Sequence, residues 1–213
     1  MTKAVETQWR RARRLSARQA IVDAAWQLAH QEGLLGWSLR DLAREAGITT
    51  PTVYAYFESK HAIYDAMFGQ AATEFDDYMG APYDVDDPRE HFAAYGRQFL
   101  TFCTSDPARY QLLFQRTIPG FEPSPESYAP SIRALDRLGG LLAANGVTEA
   151  RHRDLWTALS TGLASQQVSN DPGGTRWSDL IEESVDMLLA HCLPASGSHN
   201  ARSRSRRKSG ARR

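Results

Sequence analysis

The sequence predicts an all-α protein with an N-terminal three-helix helix-turn-helix domain and a C-terminal helical domain. Apolar residues recur at three- and four-residue intervals in one segment after another, beginning with 17–31, which is the period of an amphipathic helix. No segment shows the polar and apolar alternation that is typical of a strand. At 213 residues, the chain is long enough for a small domain joined to a larger one.

Composition and helix-breaking residues divide the chain into four regions. We expect a flexible basic arm over residues 1–15, a helix-turn-helix domain with a linking fourth helix over 16–80, a second helical domain over 81–194, and a disordered basic tail over 195–213. The stretch 80–88 is rich in Gly, Pro and Asp and is the predicted joint between the domains. The tail has no large apolar side chain with which to pack.

Charge is unevenly distributed, although Lys plus Arg and Asp plus Glu both number 25. Residues 1–18 carry six bases and one acid, and residues 196–213 carry seven bases and no acid, so the remaining residues hold 12 bases against 24 acids. Basic ends favour polyanions through counterion release, whereas an acidic body opposes non-specific binding. The distribution indicates a nucleic-acid partner; merely solubilising tails are the alternative, which stays open above all for the C-terminal end.

Membrane and secreted classes find no support in the sequence. No apolar run approaches the roughly 18 residues that a membrane span needs, and no apolar stretch follows the basic N-terminus as it does in a secretory signal. The two cysteines, Cys103 and Cys192, lie among apolar residues and are interpreted as buried free thiols. We therefore expect a cytoplasmic protein without a membrane partner.

The sequence does not favour an enzyme either. The six histidines are scattered singly, without the spacing of metal ligands. The adjacent pairs Asp76–Asp77 and Asp86–Asp87 are interpreted as solvated charge rather than as catalytic carboxylates. The sequence thus predicts that the chain is not an enzyme and holds no cofactor or metal.

The first two helices have recognisable ends. Ser16 precedes the first clear helix, which Gly33 terminates. Ser38, with Asp41 three residues later, resembles a capping box at the start of the second helix.

The third and fourth helices follow a break at Gly47. Thr50 is the predicted N-cap of a very short helix over Pro51–Phe57, and proline suits its first position. Ser59 caps a long fourth helix. In the second domain, helices are predicted over 88–104, 107–117, 125–145, 148–169 and 175–193.

A tight turn at Gly47 between the second and third helices is the signature of a helix-turn-helix. Glycine adopts the backbone angles that such a turn requires. The small or branched side chains around the turn are suited to the buried side, which leaves hydroxyls and a cation facing outward. Those groups bond phosphate oxygens and base edges. The outward residues are Thr49, Thr50, Thr52, Tyr54, Tyr56 and Lys60.

These residues resemble the DNA-binding region of the TetR family. The similarity is carried by Ser38-Leu39-Arg40-Asp41-Leu42-Ala43-Arg44-Glu45-Ala46-Gly47-Ile48, by Pro51-Thr52-Val53-Tyr54-Ala55-Tyr56-Phe57 and by Ser59-Lys60, and it extends over about residues 17–70. The resemblance implies that Arg40, Pro51, Thr52 and Tyr54 meet DNA, that Thr50 reads bases, and that Tyr56 and Lys60 contact phosphates. The alternatives are packing against the first helix for Tyr54 and a solvated position for Lys60.

The same resemblance implies a ligand-responsive repressor. Its second domain would bind a small, apolar or aromatic effector, and helices 148–169 and 175–193 would form a homodimer that reads a palindromic double-stranded DNA operator. The candidate pocket residues are the aromatics Tyr95, Phe99, Phe102, Phe114, Tyr128 and Trp156, for each of which a place in the core is the alternative. An effector-independent DNA-binding factor that relies on its basic ends is the rival function.

Overall fold

The computed structural model describes residues 2–82 and 84–193, with side chains at Trp9 and from Arg11 onward. All regular elements in these residues are helical, which confirms the predicted fold class. The helices are α1 (Thr2–Glu32), α2 (Leu39–Glu45), α3 (Thr50–Tyr56), α4 (Lys60–Met79), α5 (Pro88–Ser105), α6 (Pro107–Phe114), α7 (Pro125–Ala144), α8 (Ala150–Asn170) and α9 (Ile181–Cys192).

The buried apolar side chains form two cores. The first lies among α1, α2, α3 and the first half of α4, and the second lies among α5, α7, α8, α9 and the end of α4. Two elements belong to both. In α4, Met67 packs in the first core and Phe75 in the second; in α6, Leu112 packs in the first and Tyr110 in the second. A displacement of α4 or α6 therefore affects both cores.

The first helix starts fifteen residues earlier than predicted, at Thr2 rather than at Ala17. Residues 2–15 continue α1 without a break, so the prediction of a flexible arm over residues 1–15 is wrong for 2–15. This segment contains neither Gly nor Pro, and most of its residues, such as Ala, Glu, Gln, Arg and Leu, have high helix propensity. The basic tail over 195–213 lies outside the described residues.

In the second domain the helices agree with prediction except at two ends. The helix predicted over 107–117 stops at Phe114, since Thr117 to Pro119 leads into a loop. The segment predicted as helix over 175–193 opens with a 3₁₀ turn, Ser178–Leu180, before α9 begins.

Asp76 is buried, contrary to the interpretation as solvated charge. Its carboxylate accepts from Nε of Arg133 at 2.7 Å and from Nη1 of Arg137 at 3.0 Å, both in α7. The neighbouring Asp77 is exposed. The pair of arginines compensates the charge that Asp76 carries into the interface between α4 and α7.

Both cysteines are free thiols. Cys103 is fully buried, and burial raises the pKa of its thiol well above the usual range. Cys192 is only half-buried, which corrects the prediction that both are buried.

None of the helices in the described residues is both long and apolar enough to cross a membrane. The same residues contain no group of three or more His, Cys, Asp or Glu side chains arranged to hold a metal ion.

Candidate nucleic-acid interface and effector cavity

Hydrogen bonds fix both ends of α2, and those at its C-terminal end close the turn between α2 and α3. The Ser38 hydroxyl accepts from the Asp41 amide, and the Asp41 carboxylate accepts from the Ser38 amide, which confirms the capping box. The Ser38 hydroxyl also donates to this carboxylate and lowers the pKa of Asp41. The Gly47 and Ile48 amides donate to carbonyls in the last turn of α2, a Schellman motif, with Gly47 at φ +64°. Only glycine adopts this angle without strain.

Thr49, not Thr50, caps the N-terminus of α3. Its Oγ1 accepts from the Thr52 amide at 3.4 Å and lies 2.8 Å from the Thr52 hydroxyl. The predicted N-cap is therefore wrong by one residue, because Thr50 already belongs to the helix and Pro51 takes its second position. On the inner side, Val53 is fully buried and fixes the seven-residue helix to the domain.

The outer side of α3 faces solvent. Tyr54 exposes 54% of its surface, and Thr49 and Pro51 are exposed as well. Thr50 and Thr52 are half-buried. An exposure this large argues against the packing alternative for Tyr54, since a tyrosine held in a core hides most of its ring.

The remaining predicted contacts on α2 and α3 are Arg40 and Tyr56. Arg40 is exposed on α2. Tyr56, at the end of α3, is half-buried, and its carbonyl accepts from Nη1 of Arg18 at 3.3 Å.

Lys60 begins α4, and its ammonium group is held within the protein. Nζ donates to the Trp37 carbonyl at 2.6 Å and lies 4.0 Å from the Trp37 ring centroid and 5.3 Å from that of Tyr64. Burial lowers the pKa of Lys60. The solvated alternative is thus not what the structure shows. A phosphate contact by Lys60 stays a prediction. It requires the ammonium group to bind the phosphate in addition to the Trp37 carbonyl or in place of it.

A groove between α1 and α3 contains basic residues that the sequence analysis did not include in the interface. Its walls are formed by Arg13, Arg14, Pro51, Thr52, Ala55 and Tyr56. Next to it, the guanidinium of Arg18 lies 4.2 Å from the Phe57 ring centroid. The arginines were missed because residues 1–15 were interpreted as an irregular arm. The spacing of Arg11, Arg14 and Arg18 at three and four residues places these three on one side of a helix, and Arg14 of this set lines the groove.

A cavity of about 230 Å³ lies beside the second core and is lined by side chains of α4, α5, α6, α7 and α8. Five of the six predicted pocket aromatics line it, namely Tyr95, Phe99, Phe114, Tyr128 and Trp156. Phe102 does not. One helical turn beyond Phe99, it faces α4 instead, with its ring centroid 5.0 Å from that of Phe75 and 5.6 Å from that of Tyr78.

Comparison with known proteins identifies the N-terminal domain. Residues 21–67 match the family described as bacterial regulatory proteins, tetR family. The class D tetracycline repressor of Escherichia coli is 34% identical over 61 residues, which cover 29% of this chain and 28% of the repressor. The similarity to the TetR family therefore lies in residues 21–67.

A second relative extends the match into the second domain. An HTH-type transcriptional regulator of Mycobacterium tuberculosis is 26% identical over 166 residues, which cover 76% of this chain and 68% of the relative. The tetracycline repressors, in contrast, are matched over less than a third of their length. These relatives are regulators and not enzymes, in agreement with the sequence-based expectation.

Solved structures share the fold of the chain. The regulator FadR of Bacillus subtilis, solved with stearoyl-CoA, has a TM-score of 0.65 at 17% identity, over 81% of this chain and 97% of that one. A TetR variant of Acinetobacter baumannii, solved with minocycline, has a TM-score of 0.55 at 20% identity, over 80% and 93%. The likeness covers both helical domains.

The helix α6 lies between the first core and the cavity. Its Ala108 and Leu112 pack in the first core, while its Leu113 and Phe114 line the cavity. A molecule that fills the cavity therefore touches an element that also supports the first domain.

A charged cluster fastens the start of α6 to α1 and α4. Asp106 caps α6 by accepting from the Arg109 amide at 3.1 Å, and its carboxylate oxygen lies 2.9 Å from Nε2 of His30 in α1. Arg109 forms ion pairs with Asp106 and with Glu74 of α4 and lies over the Trp26 ring. Burial lowers the pKa of Arg109.

Proposed function

We propose that the chain is a DNA-binding transcriptional regulator of the cytoplasm, which binds a palindromic operator as a homodimer and acts as a repressor released by a small molecule. The observation that carries the proposal is the exposed outer side of α3, which the Gly47 turn and the Thr49 cap hold beside the arginines of α1. Insertion of a short helix into the major groove needs this presentation of its N-terminal residues.

Base reading is assigned to the outward residues of α3. The hydroxyls of Thr50, Thr52 and Tyr54 donate to and accept from base edges, and the threonine methyl groups suit contact with thymine methyl groups. Thr49 already uses its hydroxyl within the cap, so its part is to fix the orientation of the helix. Pro51 presents an exposed apolar ring to the DNA.

Phosphate binding is assigned to the residues around α3. Arg40 is exposed on α2, Tyr56 is the last residue of α3, and Lys60 is the first residue of α4. Arg13 and Arg14 add two charges from the wall of the groove. Such contacts fix the register on the duplex and contribute affinity that falls with salt.

Dimerisation is assigned to α8 and α9. Leu155 and Met187 expose 46% and 56% of their surfaces beside an apolar groove, and exposed apolar patches of this kind favour an interface. Ala158 and Gly162 are exposed on α8, and their small size allows a helix of a second copy to approach closely. The groove is lined by Leu155, Ala158, Leu159, Met187, Leu188 and His191.

Release by an effector follows from the position of α6. A ligand that prefers a state with α6 displaced weakens operator binding by the same factor by which the operator weakens ligand binding. The rival, an effector-independent factor that relies on its basic ends, needs no cavity. The aromatic cavity next to α6 favours the ligand-responsive function.

The test begins with selection of duplexes from a randomised pool by the full-length protein, followed by titration of the enriched sequence and a scrambled control at two salt concentrations. We expect a palindrome with half-sites about one helical turn apart and a specificity ratio that survives the higher salt. Equal, salt-sensitive binding to every duplex would contradict the proposal and favour the rival.

Variants assign the contacts. Tyr54→Phe should reduce specific binding by roughly 1–3 kcal/mol if its hydroxyl reads a base. Tyr78→Phe, at an exposed tyrosine of α4, is the matched control. Lys60→Gln should weaken all sequences alike and reduce the slope of log K against log salt by about 0.9.

A further inference from the structure

We propose that the cavity binds an uncharged, planar aromatic molecule of one or two fused rings that carries a hydrogen-bond donor, such as a phenol or an N–H heteroaromatic. The inference rests on the proposed function, because it takes this cavity as the effector site. It adds the chemical class of the ligand, which follows from the size, charge, ring geometry and hydrogen-bond polarity of the cavity wall.

The volume sets the size of the ligand. A dry apolar cavity of roughly 150 Å³ binds one benzene ring, and this cavity measures about 230 Å³. The space suits one substituted ring or two fused rings, and a long acyl chain or a nucleotide would extend beyond it.

The wall excludes a charged ligand. Its described lining residues include no Asp, Glu, Lys, Arg or His side chain. The neighbouring carboxylate of Asp76 does not line the cavity and is already paired with Arg133 and Arg137. A carboxylate or ammonium group that entered would lose its hydration without gaining a counter-charge, which is strongly unfavourable.

Three phenylalanines give the cavity an aromatic character. The rings of Phe75, Phe99 and Phe114 meet one another edge to face, with interplanar angles of 78°, 80° and 76° and centroid distances from 5.3 to 6.1 Å. The indole of Trp156 adds a further surface. Edge-to-face and offset contacts favour an additional planar ring over an aliphatic group of the same volume.

The hydroxyls of α8 determine the polarity of the hydrogen bonds. Thr157, Ser160 and Thr161 line the cavity, and each donates to the carbonyl one turn earlier, at 2.9, 2.9 and 2.6 Å. A carbonyl only accepts, so each of these hydroxyls uses its single hydrogen within the helix. The lone pairs that remain are acceptors. Tyr95 likewise donates to the Ala134 carbonyl, at 3.3 Å. Toward α8 and Tyr95 the ligand therefore supplies the donor, whereas the hydroxyls of Tyr128 and Ser131, which also line the cavity, can donate as well as accept.

Three probes of one shape separate these requirements: 2-naphthol is neutral with a donor, 2-methoxynaphthalene is neutral without one, and 2-naphthoate is charged at neutral pH. Isothermal titration to the full-length protein should rank them in that order. Loss of the donor should weaken binding about five- to tenfold, and the carboxylate should weaken it by at least about a hundredfold. Equal affinity for the first two probes would overturn the donor requirement, and tighter binding of 2-naphthoate would overturn the neutral class.

Variants locate the binding site. Ser160→Ala removes one acceptor from the wall and should reduce the preference for 2-naphthol over 2-methoxynaphthalene, while Thr73→Ala, whose hydroxyl makes the same bond to the preceding turn on an exposed position of α4, should not. Quenching of tryptophan emission by 2-naphthol should decrease in Trp156→Phe, which places the probe in the cavity even if another variant folds poorly. Unchanged quenching would overturn the location.

The same protein samples are titrated with the selected operator. Operator binding together with no binding of any naphthalene probe would overturn the ligand class and leave the proposed function standing. Failure of operator binding, with the probes ranked as expected, would overturn the proposed function alone.

Discussion

Nε2 of His30 lies 2.9 Å from Oδ2 of Asp106, the residue that caps α6. The imidazole belongs to α1, which packs in the first core, and the carboxylate caps α6, which lines the cavity. With 45% of the His30 side chain exposed, solvent screening keeps the contribution of this pair to stability small, at most about 1 kcal/mol. The pair is important because it connects α1 to the start of α6.

Removing the imidazole should uncouple the two sites. We expect His30→Ala to reduce the factor by which a saturating effector weakens operator binding, by roughly two- to thirtyfold, with smaller changes in either affinity alone. The measurement is operator affinity with and without effector. Gln27→Ala, an exposed change on the same helix, is the control and should leave the factor unchanged.

Replacing Asp76 should weaken the interface between α4 and α7. Asp76→Asn removes the charge that Arg133 and Arg137 share, and both guanidinium groups stay behind. Loss of one partner from a buried ion pair costs 3–5 kcal/mol; because these arginines are partly exposed, we expect about 2 kcal/mol in the free energy of unfolding.

Urea titration of Asp77→Asn provides the comparison for Asp76→Asn. Asp77 is the exposed neighbour on the same helix, and its replacement should change the free energy of unfolding by less than about 0.5 kcal/mol. Equal effects of the two variants would mean that the ion pairs with Arg133 and Arg137 contribute nothing to the free energy of unfolding.

Two glycines should respond to alanine in opposite directions. A Cβ on Gly96 in α5 would lie 2.8 Å from Cγ1 of Ile181 and 3.3 Å from Cζ2 of Trp156. Gly96→Ala should therefore destabilise the fold by about 1–2 kcal/mol and narrow the cavity by displacing Trp156. A Cβ on Gly139 in α7 meets no atom within 4 Å, so Gly139→Ala should stabilise by about 0.5–1 kcal/mol through helix propensity. Thermal unfolding of both variants tests the contrast.

Stability should fall at alkaline pH in part because of Cys103. Burial raises the pKa of this thiol above the unfolded value of 9.0, so above pH 9 the folded state binds the proton more tightly. The contribution to stability is complete below this pH and is lost as the pH rises, with a slope of up to about 1.4 kcal/mol per pH unit.

Urea midpoints measured at increasing alkaline pH test this slope. Cys103→Val should flatten it, whereas Cys192→Ser should change it less because that thiol is only half-buried. Burial also raises the pKa of Tyr64 to about 12, which acts in the same direction in both variants. A slope that is the same in Cys103→Val and in the unmodified chain would exclude the thiol as its cause.

The local signals of the first domain were readable in the sequence. The capping box of Ser38 and Asp41 and the break at Gly47 depend on residues three to five positions apart, and each appears in the structure. The error at Thr49 and Thr50 shows the limit, because two adjacent threonines are equally good caps and only the exact end of the turn chooses between them.

Features that depend on residues far apart in the chain were not readable in the same way. Asp76 is paired with Arg133 across 57 positions, so nothing near it in the sequence distinguishes it from the exposed Asp77. Phe99 and Phe102 are one helical turn apart, yet only the first lines the cavity, since the packing of α5 against α4 decides which ring faces inward. The cavity aromatics were predictable as a set but not one by one.

The unbroken course of α1 makes this helix a lever. Arg13 and His30 are seventeen positions apart on one helix, a separation of about 25 Å at 1.5 Å per residue. A tilt of only about 10° around the His30 end would sweep Arg13 sideways by about 4 Å, more than the length of a hydrogen bond to a phosphate. If Arg13 binds a phosphate as proposed, a small displacement beside His30 is thereby amplified at that contact. A proline at an exposed position in the middle of α1 would break the helix. The movement at His30 would then no longer displace Arg13, although both ends of α1 would keep their side chains.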